Sequence, residues 1–136
     1  MRPTRILVID DDAGFLAHLS QFLTSRGFEV VQAADGPTAI RILERRAAEI
    51  DLAIIDLVLP GNVSGLDVIL AVTRKRIPMK IVATSAVWSP TQLEMVKYAG
   101  ADAVLPKSPS PVHFSESQWL ACIRAQIPAE GTPAAN

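Results

Sequence analysis

Apolar residues along this chain fall into two alternating patterns. Short unbroken runs rich in branched side chains occur at "RILVID" (5–10), "FEVVQA" (28–33), "DLAIID" (51–56), "KIVATS" (80–85) and "DAVLP" (102–106). Runs of that length without polar interruption predict strands buried on both faces. Between them the apolar positions recur with helical spacing. Phe15, Leu16, Leu19, Phe22 and Leu23 form one stripe within 13–26, closed by Gly27. Asp35, Gly36 and Pro37 open a helix over 37–48, and Ser64 with Asp67 caps another ahead of Val68, Ile69, Leu70 and Val72. Ser89, Pro90 and Gln92 open a fourth that ends at Gly100. A fifth, over 115–127, turns Trp119, Leu120, Ile123 and Ile127 inward. Five strands alternating with five helices predict a doubly wound α/β domain on one parallel sheet.

In such sheets ligands bind beyond the carboxyl ends of the strands. That rule gathers the chemistry. Strand one ends in Asp10 and Asp11, strand three in Asp56, strand four in Thr84 and Ser85, and Lys107 follows strand five. If strands one and three are neighbours, their ends lie about 5 Å apart. Three crowded carboxylates cannot all stay ionised without a counter-charge. An oxygen-only donor set favours Mg²⁺ or a similar hard cation, which typically keeps sites open for water and phosphate oxygens. Lys107 can hold a phosphoryl group as a point charge, and a Ser85 hydroxyl can donate to one of its oxygens. Asp12 fits the N-cap of the first helix better than a ligand. Asp56 lies too far before Ser64 to cap the third helix, so it lacks a structural reason to be acidic.

Composition narrows the alternatives. The formal charge is −1, and the basic groups Arg41, Arg45, Arg46 and Arg74, Lys75, Arg76 read as solvated helix faces, so neither nucleic acid nor a membrane is expected as a partner. Cys122 is the lone cysteine and His18 and His113 have no ligand spacing, which leaves no soft metal site. No apolar run approaches membrane-spanning length, so a cytoplasmic location is expected. The segment 128–136, "PAEGTPAAN", has the composition of a disordered tail. Trp119 belongs to the inward stripe of the last helix. Trp88 has no periodic core position, which leaves partial packing on the fourth helix or contact with a partner.

"ILVIDDD", "LAIIDLVLPG", "SGLDV", "IVATSA" and "GADAVLPKS" together resemble the receiver domains of two-component response regulators, over about residues 4–127. The resemblance implies a flavodoxin-like receiver fold with strand order 2-1-3-4-5 over residues 1–127. It implies Asp56 as phosphoacceptor, Asp10 and Asp11 as metal ligands with Asp56, and a backbone carbonyl of Val58 toward Mg²⁺. Ser85, followed by the small Ala86, is similar to the switch hydroxyl of the family, and Lys107 to its phosphate-contacting lysine. The implied partners are a histidine kinase or phosphotransfer protein and a downstream protein target. The expectation is a stand-alone signalling domain, not an enzyme. A phosphatase using the same acyl-phosphate chemistry would want an acid where Val58 stands. An interaction module that is never phosphorylated is a second alternative. A flavin or nucleotide site is disfavoured by the absence of a glycine-rich loop after strand one.

The chain departs from the family pattern at three points. The loop "PGNVSG" is one residue longer, Val104 stands where many relatives carry an aromatic switch residue, and Ser108 replaces the usual proline, with Pro109 next. Signalling is therefore expected to run through the loop after strand four. Val58 and Val87, which border the approach of water in the family, cannot orient it, so slow loss of the phosphoryl group is expected.

Overall fold

The computed structural model describes residues 2–86, 88–107 and 114–127. Val87, His113, the Ser108–Pro109 bond and the segment 128–136 lie outside the described residues. Strands β1 (Arg5–Ile9), β2 (Glu29–Ala33), β3 (Leu52–Asp56), β4 (Lys80–Ser85) and β5 (Ala103–Pro106) alternate with helices α1 (Ala13–Ser25), α2 (Gly36–Arg46), α3 (Gly65–Arg74), α4 (Pro90–Ala99) and α5 (Glu116–Gln126). The sheet order is β2-β1-β3-β4-β5 and every pairing is parallel. The order reverses between β1 and β3, which creates the crevice that parallel sheets use for ligands.

Alternation along the strands divides the core in two. Leu7, Ile9, Ala53, Ile55, Ile81 and Ala83 face one layer, where they meet Ala39 and Leu43 of α2, Val68, Ile69 and Val72 of α3, and Val96 of α4. Ile6, Val8, Leu52, Ile54 and Val82 face the other, against Leu16, Leu19 and Leu23 of α1 and Trp119 and Ile123 of α5. Side chains of this size, fully buried, each stabilise by roughly 1.5–3 kcal/mol of transfer free energy. Leu120 and Ile127 pack at the edge of that second layer, and Trp119 is 1% exposed.

The helix ends follow the capping signals, with small shifts. Asp12, Asp35, Ser64, Ser89 and Ser115 each accept a backbone N–H in the first turn of their helix. Helix α2 stops two residues short of 48 and tightens into a 3₁₀ turn over Ala47–Glu49. Helix α4 ends at Gly100 with φ 118°, the left-handed cap that glycine adopts without steric cost. Helix α3 ends differently. Arg76 takes the left-handed position itself, with φ 54°. Gly65 matters to the site, because a Cβ there would collide with the carbonyl oxygen of Asp56. Only glycine lets α3 start this close to the end of β3.

Candidate functional site

Asp10 follows β1 directly, held by its N–H on the carbonyl of Ala33 at 3.0 Å, and is 1% exposed. Its Oδ1 accepts from the Asp12 N–H at 2.8 Å and from Lys107 Nζ at 2.9 Å. Its Oδ2 is buried with no hydrogen-bond partner. Asp56 closes β3 and is 5% exposed. Its Oδ1 accepts from the Val58 N–H at 3.1 Å and its Oδ2 from Lys107 Nζ at 3.3 Å. Asp11 is exposed at the mouth, and Asp10, Asp11 and Asp56 each offer an oxygen within 4.8 Å of the others.

Lys107 is positioned from the neighbouring strand end. Its N–H donates to the Ser85 carbonyl at 2.9 Å, and its ammonium stands 5.1 Å from the centre of the Phe15 ring. Burial pulls that ammonium down, but hydrogen bonds and attraction from Asp10 and Asp56 outweigh it and leave it above the ordinary lysine value. Burial, joined by the charge of Asp10, pushes Asp56 up to about 6, against the pull of the Val58 N–H and Lys107. Burial likewise raises Asp10, with Asp11 adding to the effect. These acids are short of positive charge. The unpartnered Asp10 Oδ2 and the hard-oxygen donor set fit a small divalent cation, with Asp10, Asp11 and Asp56 converging on one point.

Above the acids opens a cavity of about 570 Å³, lined by Asp11, Asp12, Asp56, Val58, Ser85, Ala86, Gln92 and Lys107. Asp10 lies beneath its floor. Thr84 and Ser85 are both buried, but Ser85 is on the cavity wall and Thr84 is not. The Thr84 carbonyl instead accepts from the Leu57 N–H at 2.8 Å, holding the chain just past Asp56. Asp12 serves as the N-cap of α1, accepting from the Phe15 N–H at 3.1 Å, and stays 4.0 Å from Lys107. Val58 is exposed beside Asp56. Trp88 is half-buried, packs on the same cluster as Val104, and donates its indole N–H to the Leu105 carbonyl at 3.1 Å. Of the two readings of Trp88 the structure shows the packed one, with β5 supplying the acceptor that the indole N–H needs once the ring is covered.

Gln92 is the lining residue that the sequence pattern assigned only to capping. Its Oε1 does accept from the Ser89 N–H at 3.2 Å, while its own N–H donates to Ser89 Oγ at 3.1 Å. The loop between β4 and α4 also carries it to the cavity wall. Loop path of that kind has no periodic signal. His18, half-buried, packs edge-on to the Phe114 ring at 4.8 Å, away from the acid cluster.

Residues 6–117 match the family model described as the response regulator receiver domain. The chain belongs to that family. It is 31% identical over 124 residues to the sensory transduction protein RegX3 of Mycolicibacterium smegmatis, covering 91% of this chain and 50% of that protein. It is likewise 31% identical over 121 residues to the transcriptional regulatory protein CpxR of Escherichia coli, covering 89% of this chain and 48% of the relative. The chain therefore spans about half the length of these curated relatives. Among solved structures, a CheY-like receiver domain protein from Methanospirillum hungatei superposes with a TM-score of 0.81 at 27% identity, covering 91% of this chain and 93% of that one. No helix among the described residues is long and apolar enough to cross a membrane.

Proposed function

We propose that this chain accepts a phosphoryl group on Asp56 from a phosphohistidine of a kinase or phosphotransfer protein, and acts through binding that depends on that modification. One observation carries the proposal. Asp56 is a buried carboxylate with no capping role, set between a second buried acid and a lysine at the floor of an open cavity. A structural acid would be expected to have its charge satisfied. This one is held for a reactant.

Asp10, Asp11 and Asp56, with the Val58 carbonyl, would hold Mg²⁺. The ion when bound supplies positive charge to the acids and to phosphoryl oxygens. The chain's own groups do the rest. The Val58 N–H fixes Asp56 Oδ1, so Oδ2 is the oxygen presented to phosphorus. Oδ2 forms the new bond to phosphorus as the bond to the donor imidazole breaks, and the pair of electrons leaves with the nitrogen. Lys107 must then exchange its hold on Asp56 Oδ2 for a phosphoryl oxygen, remaining anchored by Asp10. Ser85 can donate to a second phosphoryl oxygen from the cavity wall. A cytoplasmic setting and a downstream protein target belong to the same proposal.

Incubation with Mg²⁺ and a small phosphodonor, followed by intact mass, tests it. The wild type should gain one phosphoryl mass, lose that gain with a chelator, and show none as Asp56→Asn. Labelling that persists in Asp56→Asn would move the acceptor elsewhere.

A further inference from the structure

An aspartyl phosphate is lost when water attacks phosphorus in line with the bond to the carboxylate. A water oxygen–phosphorus bond forms and the phosphorus–Oδ bond of Asp56 breaks with its electrons on the carboxylate. One water proton stays on the incoming oxygen and the other passes to a phosphoryl oxygen, so dihydrogen phosphate leaves. The rate depends on whether any group holds that water in place.

Among the described residues the cavity wall leaves few groups for that task. Val58 and Ala86 carry no hydrogen-bonding side-chain atoms. Ser85 and Lys107 are committed to phosphoryl oxygens and Asp11 to the acid cluster. Asp12 is held at the start of α1 by the Phe15 N–H and stands 4.0 Å from Lys107. Gln92 remains. Its carboxamide is neutral, and it combines two N–H donors with an oxygen that has two lone pairs. One of those lone pairs is used on the Ser89 N–H, which restricts the side chain without exhausting it. Restriction is useful here, because a pre-oriented amide aligns a water with less loss of entropy than a free one.

We propose that Gln92 is the positioning residue that orients the hydrolytic water and so sets the lifetime of the phosphorylated state. The proposal rests on phosphorylation of Asp56. It assigns to α4 a control over the duration of the signal, beside the slow loss expected from Val58 and Val87, and Gln92 would set how far that loss is speeded. Glutamine in this role needs no charge change, in the way that a neutral amide orients water in other phosphoryl transfers.

The experiment compares uptake with loss. The full chain is labelled with a small phosphodonor and Mg²⁺, the donor is removed, and phosphoprotein is followed by intact mass. Gln92→Leu should lengthen the half-life about tenfold while uptake stays within about twofold of wild type. Ser89→Ala, which weakens the α4 cap but leaves the amide, should lower the melting temperature by a few degrees and leave the half-life within about twofold. Gln92→Glu retains the capping interaction and an acceptor for water, and should restore much of the wild-type loss rate. An unchanged half-life in Gln92→Leu overturns the assignment. So does a Ser89→Ala half-life as long as that of Gln92→Leu, which would make the effect one of helix capping. A wild type that never takes up label overturns phosphorylation itself, and the two failures are thereby told apart.

Discussion

The two ends of the sheet carry similar charged residues and treat them in opposite ways. At the amino end, Arg2 meets Asp51 at 2.9 Å, Arg5 reaches Glu29 and Glu49, and Arg46 meets Glu49 at 3.1 Å. Each of these three acids has a guanidinium, and Asp51 additionally accepts the Arg5 backbone N–H at 2.8 Å. At the carboxyl end, Asp10, Asp12 and Asp56 share Lys107 with Asp11 close by, and the side chains of Asp10 and Asp56 are only 2% and 6% exposed. Balanced ion pairs reached by solvent contribute little either way. Unbalanced buried acids oppose folding unless a cation arrives. The first end is electrically balanced, and the second keeps a deficit of positive charge that a divalent cation would relieve.

Removing Lys107, the one cation among the described residues at the unbalanced end, should give the largest effect. Lys107→Met leaves Asp10 and Asp56 facing each other without their shared partner. Loss on the order of 2–3 kcal/mol is expected at pH 8, because a buried charge pair broken on one side leaves the other side uncompensated. The loss should shrink toward pH 5, where Asp56 gains a proton. Urea melts at both pH values measure it. A uniform small loss at both would place the carboxyl end in the same class as the amino end.

The next effect isolates Asp56. Its folded pKa of about 6 lies above its ordinary 3.8, so the folded state binds the proton more tightly than the unfolded chain. Stability without metal should therefore fall as pH rises from about 4 to about 6 and level off above, by on the order of 1–2 kcal/mol. Asp56→Asn should abolish that slope's Asp56 share and raise the metal-free melting temperature at pH 8. Mg²⁺ should stabilise the wild type more than the variant. Thermal melts across pH with and without the ion check both. A wild type whose stability rises through this window would show the acids to be satisfied already.

This contrast explains what the sequence could and could not show. Strands buried on both faces leave unbroken apolar runs, so β1 and β3 were legible, and the acids that end those runs stood out because nothing apolar forces them there. The rule that ligands gather at carboxyl ends then placed Asp10, Asp56, Ser85 and Lys107 on one rim before any coordinates. It could not show that Lys107 bridges Asp10 and Asp56 simultaneously, which depends on side-chain reach. Nor could it show the second placement of Gln92 or the Trp88–Leu105 hydrogen bond, since both arise from the path of one loop. The turn after α3 was hidden for another reason. Its left-handed residue is arginine, where a glycine would have announced it.

Arg5 provides the counterpart to Lys107 at the balanced end. It contacts two acids, and its side chain is 18% exposed. Arg5→Met should cost about 1 kcal/mol or less, diminish further in high salt, and leave phosphorylation by a small donor unchanged. Denaturation at low and high ionic strength, with labelling alongside, tests the pair. A cost as large as that of Lys107→Met would erase the distinction between the two ends.

The smallest expected effect is a gain, and it also falls at the amino end, where α3 turns back toward β4. Arg76 is exposed and holds φ 54°, and the Ile77 N–H closes the turn on the Val72 carbonyl at 3.1 Å. A left-handed conformation costs a residue with a Cβ about 1–2 kcal/mol, which glycine avoids. Glycine in turn loses about 0.4–1 kcal/mol through the greater freedom of the unfolded chain. The difference favours Arg76→Gly by roughly 0.5 kcal/mol, a rise of about 1–3 °C in melting temperature for a domain of this size. Phosphoryl uptake and lifetime should not change, because the turn lies at the opposite end of the sheet from Asp56. A thermal melt beside a labelling time course decides it. Lower stability would mean that the Arg76 side chain contributes more than its backbone strain costs, and altered labelling would mean that the two ends are coupled through α3.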